Sequence, residues 1–231
     1  MKNRAHRNAI LLFILFISTS IYAQKKIGYV VQLDSILKQV HLGMTSFTNF
    51  SSIYSLPFEL NTYCDQRINR TFEEENIKLI KIDPQLYQGF LKMKEDLSKK
   101  EFKVYQKEWL ENLKNEYQID GLMVFESAIL EPYQQENIAT DLGRIAMIHE
   151  NNMSYVKVYI NMKCTLFTED KGKDFTGKTK FQKKDDFPGL RSKTTRYTEE
   201  EIGLLETPLQ ELIRIQLEEI KESKGFKKLM D

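Results

Sequence analysis

Asn76-Ile77-Lys78-Leu79-Ile80-Lys81-Ile82-Asp83-Pro84 holds a strand and the start of a helix. Alternation puts Ile77, Leu79 and Lys81 on one face and Lys78, Ile80 and Ile82 on the other, the period of a β-strand. Asp83 then supplies an N-cap carboxylate, and Pro84 the preset φ of a first helical residue. The chain therefore passes from strand to helix at this point, and the helix is expected to run to about Leu97.

The same alternation of elements extends outward. Residues 27–33 (IGYVVQL) read as a first strand, with a helical turn in 34–43 and a Ser/Thr-rich loop over 45–55. A helix over about 57–74 repeats Leu60, Cys64, Ile68 and Phe72 at every fourth position. Residues 99–117 form another helix, whose stripe of Phe102, Tyr105, Trp109, Leu113 and Tyr117 reads as core. Residues 121–125 (GLMVF) are continuously apolar, as in a strand buried on both faces. The order β-α-β-α-α-β predicts parallel strands with right-handed crossovers.

Past Pro132 the pattern changes. A strand is expected over 144–149, then one long alternating strand over 155–168. That strand sets Val156, Val158, Ile160, Met162, Cys164 and Leu166 on one face. Residues 169–172 make a turn, 173–182 return as a more polar strand, and 183–195 form a charged loop. A helix fills 199–222, restarting at Thr207-Pro208, and the tail after Ser223 is expected to fray. The expected fold class is α/β: a mixed sheet flanked by helices, with a parallel half, an antiparallel hairpin and a C-terminal helix. Residues 24–231 form one domain.

Residues 1–23 have the order of a secretory signal: a basic start, unbroken apolar sequence over 9–17, and small Ala23 before Gln24. The apolar run is far short of the ~20 residues that span a bilayer, so cleavage after Ala23 is expected rather than anchoring. The expected location is periplasmic or secreted. Of 34 basic and 33 acidic residues, Lys2, Arg4 and Arg7 leave with this segment and no acid does, which takes the formal charge from +1 to −2. Such balance leaves no electrostatic footprint for nucleic acid. A hydrophobic fraction of 41% with few Gly and Pro excludes a disordered chain. In an oxidising compartment Cys64 and Cys164 are candidates for a disulfide, with two separately buried thiols as the alternative.

Several motifs fail on context. Gly172 to Thr179 fits the phosphate-loop pattern GxxxxGK[ST], but that motif needs a buried strand before it and a helix after it. Here a hairpin turn precedes and strand-like sequence follows, so the segment reads as an edge strand whose lysines discourage edge pairing. Ser35 and Lys38 fit SxxK, but the companion motifs of penicillin-recognising enzymes are missing. His41 and His149 are far apart and show no zinc-ligand spacing. No cofactor or metal is expected.

Two sets of candidates remain. Asp34, Asp83 and Glu126 each follow a predicted parallel strand, at the sheet edge where α/β proteins bind ligands. They could hold a cation or act as acid and base, although capping alone accounts for Asp34 and Asp83. Thr45, Phe47, Asn49 and Phe50 form an aromatic, hydroxyl-rich loop after the first strand, a candidate binding edge.

The element order, together with the G-x-T-x-F-x-N run from Gly43 to Asn49, resembles small α/β envelope domains. These are the curli-secretion-type lipoproteins and the amino-terminal domains of TolB-type periplasmic proteins. The resemblance implies a role in envelope assembly or protein contact rather than catalysis. The lipidated Cys and the propeller repeats are lacking, so it implies neither a pore nor a propeller and transfers no functional residue. The expected function is an exported, non-enzymatic module that binds an envelope protein or a small ligand. The alternatives are a metal-assisted hydrolase using the three carboxylates, and a structural subunit associating through the 199–222 helix.

Overall fold

The computed structural model describes residues 24–42, 50–72, 77–128, 145–150, 156–168, 172–176 and 196–230. Residues 1–23, with the expected signal, and the charged loop 183–195 lie outside them. The fold is mixed α/β. Strands β1 (Lys25–Gln32), β4 (Ile77–Lys81), β5 (Gly121–Ser127), β8 (Met162–Phe167) and β9 (Gly172–Thr176) form one sheet in the order β4-β1-β5-β8-β9. The first two pairings are parallel and the last two antiparallel. Strands β2 (Ile36–Leu42), β3 (Phe50–Ser55), β6 (Ile145–Glu150) and β7 (Val156–Ile160) form a second sheet in the order β3-β2-β6-β7.

The two sheets are joined by chains that bend from one into the other. β1 turns into β2 through Leu33–Ser35, and β7 into β8 through the single residue Asn161. Neighbours stay hydrogen-bonded at the bend. The Asp34 N–H donates to Ser127 Oγ at 2.9 Å, and the Ala128 N–H to the Asn161 carbonyl at 2.9 Å. The neighbour order β1, β5, β8 in one sheet is repeated as β2, β6, β7 in the other.

Helices cover both faces of the five-stranded sheet. One face carries Ile27, Tyr29, Val31, Met123, Phe125, Cys164 and Leu166, and it meets α1 (Leu60–Phe72), α4 (Glu199–Gly203), α5 (Glu206–Glu222) and α6 (Lys224–Met230). The other carries Val30, Leu122, Val124 and Phe167, and it meets α2 (Pro84–Asp96) and α3 (Lys99–Tyr117). The α3 stripe packs there as core, with Trp109 centred 4.2 Å from Phe90. Asp83 caps α2 through Gln85 N–H at 2.9 Å, and Pro84 follows at the first helical position. Ser98 with Glu101, and Thr198 with Glu201, close capping boxes on α3 and α4.

Four expectations are corrected. Residues 36–42 are a strand, not a helical turn, because β2 is hydrogen-bonded on both sides, to β3 and β6. Ser35 lies in the bend before β2 and Lys38 within that strand, so the two do not stand one helical turn apart as an SxxK pair requires. Phe50 to Ser55 is likewise strand rather than loop, paired along its length with β2. The long 155–168 strand is two strands in different sheets. Its alternation nevertheless survives the break, since Val158, Ile160, Met162, Cys164 and Leu166 all enter one core. The tail does not fray: Phe226 is buried and packs on Phe72 and Phe175, holding α6 to the body.

Cys64 and Cys164 enter this same core as free, fully buried thiols rather than as a bridge. Desolvation pushes both thiols far above their ordinary range, toward the inert, protonated form. Gly172 to Thr176, the first part of the phosphate-loop match, is the edge strand β9; residues 177–179 lie outside the described set. Packing alone demands a small residue at Gly172, since a Cβ there would sit 2.6 Å from the Phe167 ring and 2.8 Å from Thr165 Cγ2.

Candidate functional site

The three candidate carboxylates do not assemble one site. Asp83 is used as the α2 cap, and Asp34 lies in the bend between β1 and β2. Among the described residues, no group of three His, Cys, Asp or Glu side chains could hold a metal ion. Glu126 alone joins a polar group at the carboxyl end of the parallel strands. It lies beside Gln32 on β1 and Lys163 on β8 in the sheet register. Lys163 Nζ is 3.3 Å from Glu126 and 4.0 Å from Asp174, which accepts from Thr165 Oγ1 at 2.7 Å. Tyr87, from α2, hydrogen-bonds Glu126; burial and this carboxylate push its phenol well above the usual range. These groups satisfy one another, with the exception of the buried Gln32 Oε1.

Of the aromatic loop, Thr45, Phe47 and Asn49 lie outside the described residues. Phe50 stands in β3 opposite His41, and the two rings stack at 4.7 Å and 14°. Desolvation lowers the His41 pKa from its ordinary value, which favours the neutral ring beside Phe50.

The described surface opens instead between α1 and α5. The apolar stripe of α1, Leu60, Cys64, Ile68 and Phe72, faces the core. Helical spacing then turns Tyr63, Arg67, Arg70 and Thr71 toward α5. Helix α5 buries Leu209, Leu212, Ile213, Gln216, Leu217 and Ile220, which leaves Glu218, Lys221 and Glu222 to meet α1. The helices run side by side in the same direction. Tyr63 donates to the Gln210 carbonyl at 3.2 Å near their starts, and Lys221 Nζ to the Thr71 carbonyl at 2.9 Å near their ends. Between their last turns lies a cleft of about 460 Å³, lined by Arg67, Arg70, Thr71, Glu218, Lys221 and Glu222. That volume falls in the range of small-molecule sites.

The charges in the cleft are unevenly satisfied. Glu218 accepts from Arg214 Nη1 through both oxygens, at 2.7 Å each. The hydrogen bonds that Arg214 donates to Glu211 and Glu218 in turn hold it firmly charged. Glu222 pairs with Lys227, which keeps its carboxyl below the ordinary carboxylate range. Arg67 reaches Glu218 only at 3.6 Å, and its buried Nε has no hydrogen-bond partner among the described residues. No local sequence pattern marks this site. Arg67 and Arg70 sit one turn apart in a predicted helix, but Lys221 lies 150 residues from Thr71, and only the folded core brings them together.

No protein-family model matches the chain, and no curated protein is significantly similar to it. A solved structure of the hypothetical protein CT253 from Chlamydia trachomatis is similar at 13% identity and a TM-score of 0.30, covering 83% of this chain and 94% of that one. A likeness of that size carries no functional weight.

Proposed function

We propose that the protein is an exported, non-enzymatic binding module of the bacterial envelope, and that its ligand is a small solute held between α1 and α5. The observation that carries this reading is the ligand-sized, charged cleft between two helices whose apolar faces are locked into the core. Export rests on the signal-like order of residues 1–23, and the envelope setting on the resemblance in element order. No described helix is long and apolar enough to cross a membrane. The apolar side of α5 is consumed by the protein's own core, which leaves its charged side for outside contacts.

Two measurements test the reading. Osmotic shock of cells expressing the full chain should release a product whose mass begins at Gln24; an uncut chain retained in the cytosol would remove export. A photo-crosslinking residue in place of Glu222, at the cleft rim, should capture a small solute from envelope extract. Capture of a polypeptide instead would make the cleft a protein-contact surface and overturn the small-solute assignment.

A further inference from the structure

We infer that the α1–α5 cleft binds an oxyanion, the carboxylate or phosphate group of a small solute, through Arg67 and Arg70. This rests on the reading of the chain as a binding module and names the ligand chemistry of that same cleft. A guanidinium offers five N–H donors in a planar fork. In Arg67 one of these, Nε–H, is buried without an acceptor among the described residues, and the terminal nitrogen is 3.6 Å from Glu218, beyond hydrogen-bond reach. A buried donor left unpaired is unfavourable, so the site gains when an acceptor arrives.

The acids that line the cleft do not meet this need. Glu218 is engaged through both oxygens by Arg214, and Glu222 by Lys227, two cations that do not line the cleft. Arg70, one turn beyond Arg67 on the same wall, has no ion pair among the described residues. The result is two guanidinium groups with donors to spare, facing carboxylates that are already neutralised. Planar oxygen pairs on carboxylate or phosphate match that fork in bidentate fashion.

Helix C-termini attract cations on their own account, and both helices end at this cleft. That effect explains Lys221, which donates to the Thr71 carbonyl in the last turn of α1. It does not explain the Arg67 Nε–H, which binds no carbonyl of the described residues.

The test follows the Arg Nε–H signals of the full chain by proton–nitrogen NMR. Inorganic phosphate and citrate are titrated separately, with chloride at matched ionic strength as reference. The Arg67 Nε–H signal should shift and saturate with at least one of the two oxyanions and not with chloride; which of them binds tighter tells phosphoryl from carboxylate recognition. Arg67→Lys keeps the charge but loses the fork. It should weaken binding by about tenfold, as should Arg70→Gln, with the melting temperature unchanged, while Lys107→Gln on α3 leaves binding as it was. A response equal to that of chloride, or variants that titrate like the parent, would overturn the oxyanion assignment. If the crosslinker at position 222 still captures a solute in that case, the binding-module reading stands and only the ligand chemistry falls.

Discussion

Tyr29 shows how much one polar side chain can hold inside a sheet face. Its hydroxyl donates to Asp65 at 2.6 Å and accepts from Asn69 at 2.8 Å, and Asp65 also takes Lys81 at 2.9 Å. Four side chains thereby tie α1 to β1 and β4. Burial, with the Asp65 hydrogen bond second, pushes the phenol from 10.0 up to about 12. The folded state holds this proton more tightly than the unfolded chain does. The contribution to stability is therefore complete below about pH 10 and is lost as the pH rises through about 12. Tyr29→Phe should lower the unfolding free energy near neutral pH by about 1–2 kcal/mol. In urea titrations followed by circular dichroism from pH 8 to 12, the variant should also lose stability less steeply than the parent. Parallel curves would assign the alkaline sensitivity elsewhere. None of this network is legible in sequence, where Asp65 and Asn69 are merely polar positions on an amphipathic helix.

At the scale of elements, legibility follows local chemistry. Asp83-Pro84 and the Ser98–Glu101 box announce their helices because caps act within one turn. Residues 36–42 gave no such signal. ILKQVHL is short and mixed, and it becomes a strand only because β3 and β6 flank it. Helix α6 is a similar case: a Lys-rich tail reads as frayed, yet Phe226 docks with its ring centre 5.6 Å from Phe72 and 5.3 Å from Phe175. Phe226→Ala should cost about 3–5 kcal/mol, the range for removing a buried aromatic ring. Urea unfolding measures this, and a cost below about 1 kcal/mol would mean that the tail does not support the core.

Across the whole molecule, the passage of β7 into β8 between the two sheets is clamped by a single helix side chain. Gln216, fully buried on α5, receives the Met162 N–H at 2.9 Å and donates to the Ile160 carbonyl, on either side of Asn161. It satisfies the two backbone groups exposed where β7 passes into β8. Gln216→Met keeps the volume but strands both groups, and should destabilise by about 2–4 kcal/mol. Gln210→Met, six residues earlier, loses only a part-buried contact to Glu206 and should stay within about 0.5 kcal/mol of the parent. Equal losses in the two variants would show that the bend does not need its clamp. The sequence by itself determined the strand and helix periods, the caps and the apolar faces, because these arise from neighbours within a turn or two. Only the tertiary structure decided that one alternating run divides between two sheets, that two cysteines are buried in one core as free thiols, and that Arg67, Arg70 and Lys221 share a cleft. Those outcomes depend on groups brought together from distant parts of the chain, and no local period records which of them will meet.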